Sequence, residues 1–171
     1  IPQTPINNTF HIGETTMLAR IQTIINEYIG EMVSYEAEGG GLLFQDMVPN
    51  KKLSNTQTSL GSKVELELHT EQAFSELRPD YLCLACLRGN NGAKTYYLDI
   101  KNITQRMSIE ELNILKNKLW NIGVDLSFTM NGCNGEIRGP LSILNLKNGD
   151  LELLFDQDLI IGLIDEANKL T

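Results

Sequence analysis

An α+β fold is predicted for this chain of 171 residues by three observations. A helical apolar period stands near the N-terminus, strand-like runs broken by tight-turn residues follow, and a capping box opens a second helical period. Hairpins with helices set to one side read as a β-sandwich or jelly roll with helical packing. No internal repeat and no Pro/Ser-rich linker divides the chain, so residues 1–171 are expected to form one domain around one core.

Leu18, Ile21, Ile24, Ile25, Tyr28 and Ile29 recur at helical spacing, with Thr15 or Thr16 as cap and Gly30 at the stop. From Met32 to Val48 the chain is extended in character and interrupted by Gly39, Gly40 and Gly41, and Pro49 to Gly61 is polar and reads as a loop. Val64, Leu66 and Leu68 then alternate with Lys63, Glu65, Glu67 and His69, the period-2 pattern of a half-buried strand. Tyr81 to Arg88 and Lys94 to Ile100 are β-rich and joined by Gly89, Asn90, Asn91 and Gly92, which predicts a hairpin. Ser108 and Glu111 cap a helix carrying Ile109, Leu112, Leu115 and Leu119, and Gly123 is expected to end it. Leu141 to Leu146 and Leu151 to Phe155 flank Asn148-Gly149, a second hairpin signal, and Asp158 to Leu170 is expected to form a final helix.

Fourteen Lys and Arg against 22 Asp and Glu leave a net charge of −8, which disfavours nucleic acid or an anionic membrane surface as the main partner. A small molecule or another protein is the expected partner. No apolar run approaches the ~20 residues that a membrane-spanning helix needs, and no signal-like segment opens the chain, so a cytoplasmic location is expected. The three cysteines, Cys83, Cys86 and Cys133, are an odd number and argue for reduced thiols rather than a disulfide framework. Cys83 and Cys86 form a C-x-x-C inside an apolar strand run, where core cysteines are expected rather than a redox pair. Gly39 to Gly41 lack the partners of a phosphate-binding loop and read as a bend.

Of the two histidines, His11 and His69, the second closes the amphipathic strand and is followed by Thr70 and Glu71. In extended backbone residues two apart share a face, about 7 Å apart at Cα, so imidazole and carboxylate can reach one metal ion. A lone H-x-E arises often by chance, and a polar residue at a strand end is usually only solvated. His11, ahead of the first helix, reads as a surface or packing residue.

The stretch His69-Thr-Glu-Gln-Ala-Phe-Ser-Glu-Leu-Arg-Pro-Asp-Tyr-Leu-Cys-Leu-Ala-Cys-Leu-Arg88 closely resembles the clavaminate synthase-like Fe(II)/2-oxoglutarate oxygenases. There H-T-E-x-A-F, P-D-Y-L and C-L-R recur in that order. Gly40 to Pro49 and Gly61-Ser62 fit upstream, and Gly139-Pro140 and the closing segment fit more loosely, so the resemblance spans nearly the whole chain. It implies a double-stranded β-helix (jelly-roll) core with flanking helices, Fe(II) held by His69 and Glu71, 2-oxoglutarate as cosubstrate, and hydroxylation of a free or carrier-bound amino acid such as arginine or asparagine. Thr95, 26 residues after His69, matches the window of a threonine that binds the cosubstrate carboxylate, although a strand threonine is also a plain β-former. Gln45 and Ser62, with Glu71, match the family's amino-acid-binding positions, and the first two fit equally well as ordinary loop residues.

The family's second iron histidine and its 2-oxoglutarate arginine lie nearer the C-terminus than anything in this chain, where no histidine follows His69. The jelly roll is therefore expected to be incomplete here. A further C-terminal segment or a second polypeptide would complete it, an expectation that the opening Ile1 favours. The rival reading is a non-catalytic binding or scaffold relative with an unfinished iron site.

Overall fold

The computed structural model describes residues 2–5, 11–130, 132–133, 135 and 137–163. In chain order it contains α1 (Met17–Ile29), α2 (Ile100–Thr104), α3 (Ile109–Lys116), β1 (Trp120–Ile122), α4 (Leu126–Met130), β2 (Arg138–Leu141), β3 (Leu144–Lys147), β4 (Asp150–Leu153) and β5 (Ile160–Leu163). Among the described residues, three short 3-10 turns precede α2. The chain divides into two compact units.

The first unit comprises Ile1–Leu66, Pro79–Gly92 and Leu126–Cys133. Its main helix, α1, starts where Thr16 Oγ1 accepts the Ala19 N–H at 2.9 Å and stops at Gly30, as the capping pattern predicts. Only Ala19 of α1 is buried, and its isoleucines stay largely in solvent. The chain ahead of α1 is tied down by Asp46, whose carboxylate accepts the Ile12 N–H at 2.8 Å and lies 3.6 Å from His11 Nδ1. Phe128 of α4 is buried and meets the Tyr35 ring at 6.3 Å between centroids.

The second unit comprises Glu67–Arg78, Ala93–Asp125 and Asn134–Thr171. Its antiparallel sheet runs β2-β1-β5, and β3-β4 form a separate hairpin. Gly139 of β2 crosses β1 so closely that a Cβ there would stand 2.7 Å from the Trp120 carbonyl oxygen. The Asn148-Gly149 turn forms as read, with φ of 53° and 91°, the left-handed pair that suits the twist of a two-residue hairpin. Ile122, Val124, Ile143, Leu144 and Leu154 are its buried apolar side chains, together with Ala73.

Four expectations are corrected. The strand expected over residues 63–69 makes a single bridge, at His69. The runs 81–88 and 94–100 form no hairpin, and Tyr81, Leu84, Tyr96 and Tyr97 are exposed, since β-forming side chains make a strand only where a neighbouring strand completes the ladder. The second helix ends at Lys116 rather than Gly123, because Trp120 to Ile122 pair with both β2 and β5. The expected final helix is strand β5 over its first part, preceded by a turn that Asp156 Oδ1 closes on the N–H groups of Asp158 and Leu159. Its remainder, 164–171, lies outside the described residues.

Candidate metal centre

The candidate ligands His69 and Glu71 sit where the second unit turns a corner. His69 bridges Asp156 in antiparallel fashion, and the Gln157 N–H donates to the Leu68 carbonyl at 3.2 Å. Thr70 adds three bonds to the same strand end. Its N–H donates to the Phe155 carbonyl at 2.6 Å, its hydroxyl donates to the Leu153 carbonyl at 2.7 Å, and that hydroxyl oxygen accepts the Phe155 N–H at 3.3 Å. The chain then reverses over residues 71–74, with the Ala73 N–H on the Thr70 carbonyl at 3.2 Å. The reversal places Gln72 at φ 48°, a left-handed conformation that non-glycine residues adopt at a cost.

Beyond the turn, Arg78 grips Glu152 of β4 with two nitrogens, Nε to Oε1 at 3.2 Å and Nη2 to Oε2 at 2.7 Å, while Nη1 donates to the Ser75 carbonyl at 2.8 Å. The fork meets the carboxylate side-on, the strong geometry for this pair. Both ends of the segment carrying His69 and Glu71 are thus fixed to β4 and the residues that follow it.

His69 is exposed, and its Nδ1 lies 2.8 Å from the Glu67 carbonyl oxygen. A carbonyl only accepts, so Nδ1 is the donor in this contact, the arrangement in which a ligating imidazole meets a metal through Nε2. Glu71 is half-buried, and its pKa is raised, first by burial and then by the carboxylates of Asp125 and Asp156, against the opposing pull of His69. Burial also raises Asp156, partly offset by the backbone N–H groups of Leu159 and Asp158 that its carboxylate accepts. Several carboxylates in one desolvated neighbourhood favour either protons or a cation. His69 and Glu71 bring one imidazole and one carboxylate, donor types that divalent metals accept, to this neighbourhood. Among the described residues no group of three or more His, Cys, Asp and Glu is arranged to hold one ion.

Thr95 lies in the irregular segment 93–99 of the same unit, exposed, not on the hairpin strand expected for it. Gln45 and Ser62 belong to the first unit, and both are exposed. The Gln45 amide lies across Gly39, where a Cβ would collide with it, and donates to the Glu38 carbonyl at 3.3 Å. The Ser62 N–H donates to the Ser54 carbonyl at 3.3 Å. Cys83 and Cys86 are exposed free thiols, not core residues, because the strand pairing that would have covered them is absent. Sequence reasoning missed Asp125 and Asp156. A signal for Asp156 existed in the acidic Asp156-Gln157-Asp158 triplet directly after the hairpin.

No protein-family model matches the chain. It is 46% identical over 173 residues to the L-lysine 3-hydroxylase of Catenulispora acidiphila, covering 99% of this chain and 48% of that protein. Clavaminate synthase 2 of Streptomyces clavuligerus is 23% identical over 150 residues, or 86% of this chain and 44% of that one. The chain is thus similar in sequence to an amino-acid hydroxylase and, more distantly, to clavaminate synthase 2, each over about half of that protein's length. Its fold is similar to that of a solved structure of asparagine oxygenase in complex with Fe(II), 2S,3S-3-hydroxyasparagine and succinate, which superposes with a TM-score of 0.73 at 22% identity, covering 96% of this chain and 50% of that one. The chain spans about half the length of the relatives it matches.

Proposed function

We propose that this chain is part of an Fe(II)/2-oxoglutarate-dependent hydroxylase of a free or carrier-bound amino acid, with a cationic side chain preferred. The observation that carries the reading is the placement of His69, its Nδ1 held by the Glu67 carbonyl, and of Glu71 two residues on, at the corner where His69 bridges Asp156. The acidic neighbourhood favours a basic amino acid, and the similar lysine 3-hydroxylase supports that preference. The core is read as a double-stranded β-helix, completed by a further segment of the polypeptide or by a second chain that brings the third protein donor. Reduced thiols and the cosubstrate both suit the cytoplasm.

Fe(II), when bound, would activate dioxygen, the oxidant, one oxygen atom of which ends in the succinate formed with carbon dioxide from 2-oxoglutarate and the other in the hydroxyl that replaces hydrogen on a substrate carbon. His69 contributes Nε2, held in its tautomer by the Glu67 carbonyl, and Glu71 contributes its carboxylate. Thr95 is assigned to the cosubstrate carboxylate, and Gln45, Ser62 and Glu71 to the amino acid. Gln45 would exchange its bond to the Glu38 carbonyl for one to substrate.

The test follows succinate formation by the intact protein with Fe(II), 2-oxoglutarate and lysine, arginine or asparagine. Turnover is expected to require Fe(II), to rise most with a basic amino acid, and to fall by at least about 100-fold in Glu71→Ala, more than loss of an outer hydrogen-bond partner causes. Undiminished succinate in that variant removes Glu71 from the site. No succinate with any amino acid favours the non-catalytic scaffold.

A further inference from the structure

Thr70 stands between the two candidate ligands and makes more bonds to the β4 end than either of them. We propose that the Thr70 hydroxyl is a positioning residue, one that sets the register and rotation at which His69 and Glu71 present their donors to the metal. The inference rests on the metal reading above and deepens it.

The β3-β4 ladder ends at the Leu144–Leu153 pair, with one further bond from the Leu154 N–H to the Ile143 carbonyl at 2.7 Å, so the Leu153 carbonyl and the Phe155 N–H take their partner from another segment. One hydroxyl serves both, donating to the Leu153 carbonyl at 2.7 Å and accepting the Phe155 N–H at 3.3 Å. The backbone bond from the Thr70 N–H to the Phe155 carbonyl, 2.6 Å, fixes the height of the segment. The two side-chain bonds fix its rotation, because a hydroxyl held by two groups two residues apart leaves no freedom about the strand axis. In extended chain neighbouring side chains alternate, so pinning Thr70 on one face determines where His69 points on the other. A β-branched side chain adds a stiff χ1, which an unbranched donor would lack.

The experiment measures Mn(II) binding by electron paramagnetic resonance, together with the thermal midpoint, in the intact protein. His69→Ala is the control for the metal reading: if it binds Mn(II) as tightly as the parent, that reading fails on its own. With that control weakened, Thr70→Val is expected to bind about tenfold more weakly and to show an altered Mn(II) spectrum, within the range for outer hydrogen-bond partners of metal ligands. Thr70→Ser, which keeps the hydroxyl, is expected to restore affinity to within about twofold of the parent. Parent-like affinity in Thr70→Val, with or without a lower thermal midpoint, overturns the proposal, as does a serine variant as weak as the valine one. Should Thr70→Val fail to fold, hydrogen exchange in the parent decides. Saturating Mn(II) is expected to slow exchange at the Phe155 amide, since a ligand that binds the closed segment suppresses its opening. An unchanged Phe155 rate overturns the proposal.

Discussion

Glu71 and Asp156 hold their protons more tightly than solvated carboxylates, chiefly because burial disfavours the charge. At these two carboxyls the metal-free fold therefore binds more protons than the unfolded chain over the window that opens at the ordinary values of 4.5 and 3.8 and extends upward. Fewer protons in the unfolded state mean that stability falls with rising pH across that window. Below it the contribution is fully present, and it is lost as pH climbs through the raised values. Glu71→Gln removes one of these ionisations, so its urea midpoint should gain on the parent's as pH rises from about 4.5 towards neutrality. A gap between the two that stays constant or narrows would refute the assignment of burial as the dominant cause.

Arg78 and Glu152 join the turn after Glu71 to β4, and their side chains retain only 15% and 21% exposure. Removing one partner strands the other charge in a poorly solvated place, so Arg78→Met should cost about 2 kcal/mol, less than a fully buried pair. Arg78→Met combined with Glu152→Met should recover most of that loss in urea titration, and a double variant no more stable than the single one would show that packing, not charge, carries the effect. The elements legible in the sequence are the ones whose signals are local. Thr16, the Ser108–Glu111 box and Asn148-Gly149 each satisfy backbone groups within a few residues, and each acts as read. Trp120 to Ile122 and Ile160 to Leu163 are short apolar runs whose strand character comes from pairing across about 40 residues of sequence, which no local period encodes. The same holds at the site. His69 and Glu71 stand out as H-x-E, whereas Asp156 joins them through a bridge 87 residues away that only the folded chain reveals.

Across the whole chain His11 and His69 are the two histidines, so none beyond His69 is available to finish a two-histidine, one-carboxylate site. A polypeptide confined to these 171 residues is expected to bind Mn(II) weakly and to form no succinate from Fe(II), 2-oxoglutarate and lysine. Robust hydroxylation by it would show that other side chains complete the centre. The clamp on Thr70 also has a consequence in time. Its partners lie 83 and 85 residues downstream, at Leu153 and Phe155. At ~5–20 residues per second of synthesis, Thr70 is made roughly 4–17 s before they are, while the β3-β4 hairpin itself closes in about 1–10 μs once available. Through that interval the nascent His69 and Glu71 have no frame to hold them, and the hairpin's appearance is the event that assembles the pair. On the proposed reading, capture of an ion by this pair is thereby deferred until Leu153 and Phe155 have been synthesised.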